Sequence, residues 1–160
     1  MTSTQEEIFK CVLSGDLDSV KELFERQEEP RQQDVFGLKD ELGRNALLAA
    51  SMLGRSAIIR ELLTHGAELE ESTAGGYSSL HLAACWGHLD TVRTLLDLGA
   101  DTGARTSRGD RPVDLARRYS KTDCAECLML AEAEQDLTSY VASVRDLAAD
   151  PQNNLTKEEK

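Results

Sequence analysis

The chain has 160 residues, 40% of them hydrophobic, with 18 basic against 29 acidic side chains and a formal net charge of −11. That length can bury a real core, and the acidic balance disfavours nucleic acid and anionic membrane surfaces, whose phosphates reward Lys and Arg. Four cysteines, at 11, 85, 124 and 127, are too sparse for a disulfide scaffold and predict a reducing, cytoplasmic compartment.

Met1 to Glu7 is polar and acidic, without the basic-then-apolar pattern of a secretory leader. The longest apolar run, around Ala46 to Leu53, is far short of the roughly 20 residues that cross a bilayer. From Thr4 onward, Ile8, Cys11 and Val12 and then Val20, Leu23 and Phe24 fall at helical spacing on two segments. Gly15-Asp16 reads as the turn between them, because Gly tolerates the left-handed conformation that ends helices. Residues 4–27 are thus an atypical, capping helix pair. The polar stretch 28–39, with Pro30, reads as an elongated loop.

The centre of the chain repeats itself. Gly76-Tyr77-Ser78-Ser79-Leu80-His81-Leu82-Ala83-Ala84 returns 33 residues earlier as Gly43-Arg44-Asn45-Ala46-Leu47-Leu48-Ala49-Ala50, and 33 later as Gly109-Asp110-Arg111-Pro112-Val113-Asp114-Leu115-Ala116. The units run over about 40–72, 73–105 and 106–130. Leu47, Ala50, Ile59, Leu62 and Leu63 correspond to Leu80, Ala83, Val92, Leu95 and Leu96. A lone helix pair cannot bury this face, so each unit must lie against its neighbours. Gly54 and Gly87 mark the turn within each pair, and Gly66 and Gly99 end the second helix.

The last unit departs from the pattern. Asp114 takes the position of His81, Ser120 that of the turn glycine, and Lys121 that of His88. Pro112 stands where a missing backbone N–H costs least. Beyond it, Leu137, Tyr140, Val141, Val144, Leu147 and Ala148 predict a separate amphipathic helix over 131–150, expected to cap the last unit. The alternative is that a Leu137-Tyr140-Val144-Leu147 seam binds a partner helix. Pro151 stops this helix, and 151–160 reads as a disordered tail.

A period near 33 with these landmarks resembles the ankyrin-repeat family, whose usual Thr-Pro-Leu-His opening reads here as Ser78-Ser79-Leu80-His81. The resemblance implies an all-α solenoid of about four helix-turn-helix repeats with short hairpin-like loops and an extra C-terminal helix. It also implies a monomeric, non-catalytic protein without cofactor or metal, which binds a protein partner through the repeat tips and the inner face of the first helices. An association with ciliary or cell-division structures is a further implication. By position the tips are Asp40, Glu41 and Arg44, then Gly75 and Tyr77, then Arg108 and Asp110. The inner positions are Met52 and Leu53, then Cys85 and Trp86, then Arg118 and Tyr119. Arg44, Met52, Leu53, Tyr77, Cys85, Trp86, Arg108, Arg118 and Tyr119 are therefore the candidate partner-binding residues. Trp86, the single tryptophan, leads them, because Trp, Tyr and Arg dominate interface hot spots. The overall acidity suggests a partner with a basic patch.

Two rival readings come from the same residues. Ankyrin chains of this size include inhibitors of cell-cycle kinases. Cys124-x-x-Cys127 could make a redox or zinc site, but a zinc site needs two further ligands and none lies nearby in sequence. The pair aligns with Thr91 and Thr94, so two structural thiols are the better reading. His81 and His88 are expected to make structural hydrogen bonds, and no phosphate-binding loop, paired-carboxylate site or metal motif is present.

Overall fold

The computed structural model describes residues 4–25 and 38–149. Most of the expected loop over 28–39 and the expected tail over 151–160 lie outside these. Eight helices are present among the described residues: α1 (Thr4–Ser14), α2 (Leu17–Glu25), α3 (Ala46–Leu53), α4 (Ser56–Thr64), α5 (Ser79–Trp86), α6 (Leu89–Asp97), α7 (Pro112–Arg118) and α8 (Thr122–Ala149). They pair in order. The first helices α1, α3, α5 and α7 stack side by side in one layer, and the second helices α2, α4, α6 and α8 in another. This is an all-α solenoid.

The two layers need different sequences. A first helix is covered by its neighbours and by its own partner, so Ala46–Ser51 of α3 and Ser79–Ala84 of α5 are buried without a break. Alanines at 49, 50, 83 and 84 let these helices approach closely. A second helix shows one face to solvent and buries a stripe: Ile58, Ile59 and Leu62 in α4, and Thr91, Val92, Thr94 and Leu95 in α6. Each fully buried leucine, such as Leu47, Leu62, Leu80 or Leu95, contributes about 1.5–3 kcal/mol.

The turns inside each pair share one device. Gly15, Gly54 and Gly87 adopt φ of +79°, +76° and +77°, and a basic side chain of the following repeat lies over each. Arg55 covers Gly15 and donates to the Val12 and Leu13 carbonyls at 3.3 and 3.0 Å. His88 covers Gly54 and its Nε2 donates to the Met52 carbonyl at 2.7 Å. Carbonyls left over at a helix C-terminus thus find donors in the next repeat. Lys121 covers Gly87 in the same way, while Ser120 adopts the left-handed φ of +61° without being glycine.

At the other end of the first helices, side chains cap the N-termini. Asn45 Oδ1 accepts from the Leu48 N–H at 2.9 Å. The Ser78 N–H donates to His81 Nδ1 at 3.1 Å, and Nε2–H of the same buried ring donates to the Asp110 carbonyl of the next repeat at 2.8 Å. Asp114 does the equivalent job in the last repeat by accepting the Arg111 N–H at 2.8 Å. Burial opposes its ionisation, but the Arg111 N–H and guanidinium outweigh that and hold its carboxyl below the usual range.

Ser79 is the exception to this order. Its hydroxyl is buried and makes no hydrogen bond among the described residues. It opens α5 at the position that Pro112 occupies in α7, and Ser78 before it has φ −83° and ψ 174°, which a following proline favours. Ser79→Pro is therefore expected to stabilise the chain by about 1 kcal/mol, raising the melting temperature by roughly 2–4 °C. A melt followed by circular dichroism checks this; a lower melting temperature would mean that the pocket holding Ser79 rejects the ring.

The C-terminal helix differs from its expected form. In place of a second-repeat helix followed by a separate cap, α8 runs unbroken for 28 residues. The physical reason is at Glu132, which stands where Gly66 and Gly99 turn left-handed (φ +104° and +97°) and end α4 and α6. With Ala, Glu and Gln through this region, nothing stops the helix. Cys124, Ala125 and Leu128 bury its first turns. Arg111 to Glu132 (3.2 Å) and Thr102 to Gln135 (2.7 Å) tie down its middle. From Asp136 to Arg145 every side chain is exposed, so this half caps nothing.

Candidate functional site

Three hairpin loops and three first helices build the surface on which the candidate residues fall. In each loop the same bonds recur. Asp40, Thr73 and Thr106 donate backbone N–H to Arg44, Tyr77 and Asp110 carbonyls at 2.9, 3.0 and 2.9 Å, and their own carbonyls accept from Gly43, Gly76 and Gly109. All three glycines have positive φ. The side chains of Asp40, Thr73 and Thr106 close each loop: Asp40 Oδ1 accepts from the Leu42 and Arg44 N–H groups, Thr73 Oγ1 from Tyr77, and Thr106 Oγ1 from Asp110. Burial opposes ionisation of Asp40, yet the Arg44 bonds hold its carboxyl below its ordinary range. Thr73 and Thr106 were missed as loop-forming residues in the sequence. The signal was a short oxygen-bearing side chain returning every 33 residues.

The loops lean on the first helices through residues eight apart. Arg44 forms an ion pair with Asp40 (2.7 Å) and its guanidinium touches Met52 Sδ. Arg118 grips Asp110 with two hydrogen bonds, at 3.1 and 2.8 Å. The Asp110 carboxylate raises the Arg118 pKa further. Tyr77 is half-buried, its ring edge-on to His81 at 6.1 Å. Cys85 is half-buried as well. Burial pushes its thiol pKa up against the opposing pull of Lys121 and Arg118.

Leu53, Trp86 and Tyr119 share one register, 33 residues apart, at or just past the ends of α3, α5 and α7. Leu53 is half-buried, whereas Trp86 is 57% and Tyr119 51% exposed. Arg108 sits at an exposed loop tip, its backbone N–H bonded to Thr106 Oγ1. The structure thus ties Arg118 to Asp110, with Tyr119 next to Arg118 in the chain, and sets Tyr77 against His81. Arg44 and Met52 form the equivalent contact two repeats away.

The electrostatics of this end run against the whole-chain charge. Residues 105–121 carry six basic and two acidic side chains. Asp110, Asp114 and Glu132 engage Arg118 and Arg111. Arg105 bonds a backbone carbonyl and Arg117 the Met129 sulfur, so neither is neutralised by these contacts. Cys124 is buried, and burial raises its thiol pKa, with Cys127 and Asp123 adding to the rise. That is the environment of a structural cysteine.

A model of ankyrin repeats, in three copies, matches residues 8–106. The chain is 47% identical to an ankyrin repeat domain-containing protein 45 of Danio rerio, over all of this chain and 75% of that protein. The human protein of that name is 38% identical over 99% of this chain and 62% of its own length. The Mus musculus one is 35% identical over 48% of this chain and 32% of its own.

Proposed function

Because the chain belongs to the ankyrin-repeat family, a family of protein–protein interaction modules, we propose that it is a non-catalytic scaffold whose partner docks on the hairpin tips and the adjoining face of the first helices. One observation carries this: two large aromatic side chains, Trp86 and Tyr119, stand more than half exposed in the same register of adjacent repeats, and Tyr119 adjoins Arg118 of the Arg118–Asp110 pair. Exposed aromatics flanked by arginine have the composition of interface hot spots. The surplus of arginine and lysine over 105–121 favours a partner segment rich in Asp, Glu or phosphate at this end. The basic partner expected from the net charge does not fit here, because whole-chain charge says little about one face.

The test is a pull-down from ciliated and dividing cells, the setting that the family resemblance implies, with wild type against Trp86→Ala/Tyr119→Ala. Both side chains are mostly exposed, so the variant should melt within about 2 °C of wild type. Proteins bound by wild type should fall at least tenfold on the variant, since hot-spot truncations cost about 2 kcal/mol or more each. Recovery should also weaken with added salt. Equal recovery on both forms would remove this face as the docking site.

A further inference from the structure

The second half of α8 has no role in the solenoid, and its side chains form a pattern. Leu130, Leu137 and Val144 recur every seven residues, and Ala133 and Tyr140 recur every seven between them. All five are exposed, with Leu137 at 62% and Tyr140 at 67%. This is the two-position apolar seam of a helix that packs against another helix, and from Leu130 to Val144 it extends about 21 Å. Beside it, an open groove of about 940 Å³ between α6 and α8 shares Leu130 with the seam and is also lined by Leu89, Leu96 and Cys127. Seam and groove meet at Leu130 and make one track, apolar along the seam and edged with carboxylates in the groove.

The charge along the track decides the occupant. The α8 segment carries six acidic residues and one basic, and the groove is lined by Asp97, Asp123, Glu126 and Glu134 against Arg93 alone. A second copy of this chain would bring its own acidic α8 against these carboxylates, and like charges beside a helical seam oppose pairing. We propose that this track is a docking site for an amphipathic helix of a partner protein, with apolar residues at heptad spacing and Lys or Arg on both flanks. Apolar contact along the seam supplies the affinity, and the flanking carboxylates select the basic helix. The site is separate from the Trp86–Tyr119 face and does not depend on it.

The probe is a labelled synthetic 21-residue peptide with Leu at the two seam positions and Lys on the flanks, titrated with the whole chain and followed by fluorescence anisotropy. Two controls accompany it: the same peptide with Glu for Lys, and a scrambled Leu/Lys peptide lacking the stripe. The Leu/Lys peptide should bind at least tenfold more tightly than either control. Leu137→Asp/Tyr140→Asp should weaken that binding at least tenfold, whereas Trp86→Ala/Tyr119→Ala should leave it unchanged. Neither α8 side chain is packed, so the melting temperature of the α8 variant should stay at the wild-type value. The proposal is overturned if the Glu or scrambled peptide binds equally well, or if the α8 variant binds like wild type. Sedimentation of the chain alone supplies the other arm. A dimer that the α8 variant converts to monomer would make a second copy the occupant and overturn the basic partner helix.

Discussion

Replacing His81 with alanine should destabilise the chain by about 3–5 kcal/mol, lowering the melting temperature by roughly 10 °C or more. The ring is fully buried and serves two repeats at once: Nδ1 takes the Ser78 N–H and Nε2–H is given to the Asp110 carbonyl. Alanine leaves the Ser78 N–H without its partner, at about 1–3 kcal/mol, takes one of two donors from the Asp110 carbonyl, which keeps the Thr106 N–H, and opens a cavity besides. A chain of this size holds about 5–15 kcal/mol in all, so one ring accounts for a large share. Loss should be smaller for His88→Ala, whose ring is only half-buried and bonds the Met52 carbonyl alone among the described residues. Equal losses for the two would mean that burial does not set the cost.

The same ring gives a pH dependence with a definite sign. Burial holds the folded-state pKa of His81 below its ordinary 6.5, against the opposing pull of the Asp110 and Ala104 carbonyls and of the Asp110 and Asp101 charges. Above pH 6.5 neither the folded nor the unfolded chain protonates this group, and its contribution is fully present. As pH falls below 6.5 the unfolded chain binds a proton that the folded chain refuses, and stability is lost until the folded pKa is passed. Wild type should therefore lose stability below pH 6.5 more steeply than His81→Gln. Parallel pH profiles would contradict a depressed His81.

Gly54→Ala should cost about 2–3 kcal/mol, clearly more than Gly99→Ala. Both glycines have positive φ, +76° and +97°, so both pay the left-handed conformation, about 1–2 kcal/mol for a residue with a Cβ. Only Gly54 meets a neighbour: a Cβ there falls 2.7 Å from His88 Nδ1, whereas at Gly99 nothing lies within 4 Å. The ring must move, and its bond to the Met52 carbonyl is lost with it. Urea or thermal melts of both variants, alone and in a His88→Ala background, separate the causes. The excess cost at Gly54 should vanish once His88 is gone. If it persists, the contact is not its source.

Much of this architecture was written in local pattern. The 33-residue recurrence of Leu47, Leu80 and their neighbours, the glycines at 54 and 87, and the proline at 112 each follow from helix period, turn geometry or a missing N–H, none of which requires knowledge of the rest of the fold. The unbroken α8 was legible too, in the Glu at 132 where two earlier repeats have Gly, but the apolar residues further along suggested a separate cap. Thr73 and Thr106 escaped notice because a short polar side chain in a loop has no distinctive period until the copies are aligned.

Sequence by itself determined that the chain is a stack of helix pairs, where its turns lie, and which faces are apolar, because periodicity and backbone chemistry are properties of neighbouring residues. Only the tertiary structure decided which apolar faces stay uncovered. Leu128 and Leu137 sit on the same helix and look equally suited to a core, yet Leu128 meets the stack and Leu137 stands beyond its end. The structure likewise separated the basic surface at 105–121 from the acidic α8, which the net charge of −11 merges into one number. Burial and local potential depend on what another part of the chain brings to a given place, and spacing along the chain does not carry that information.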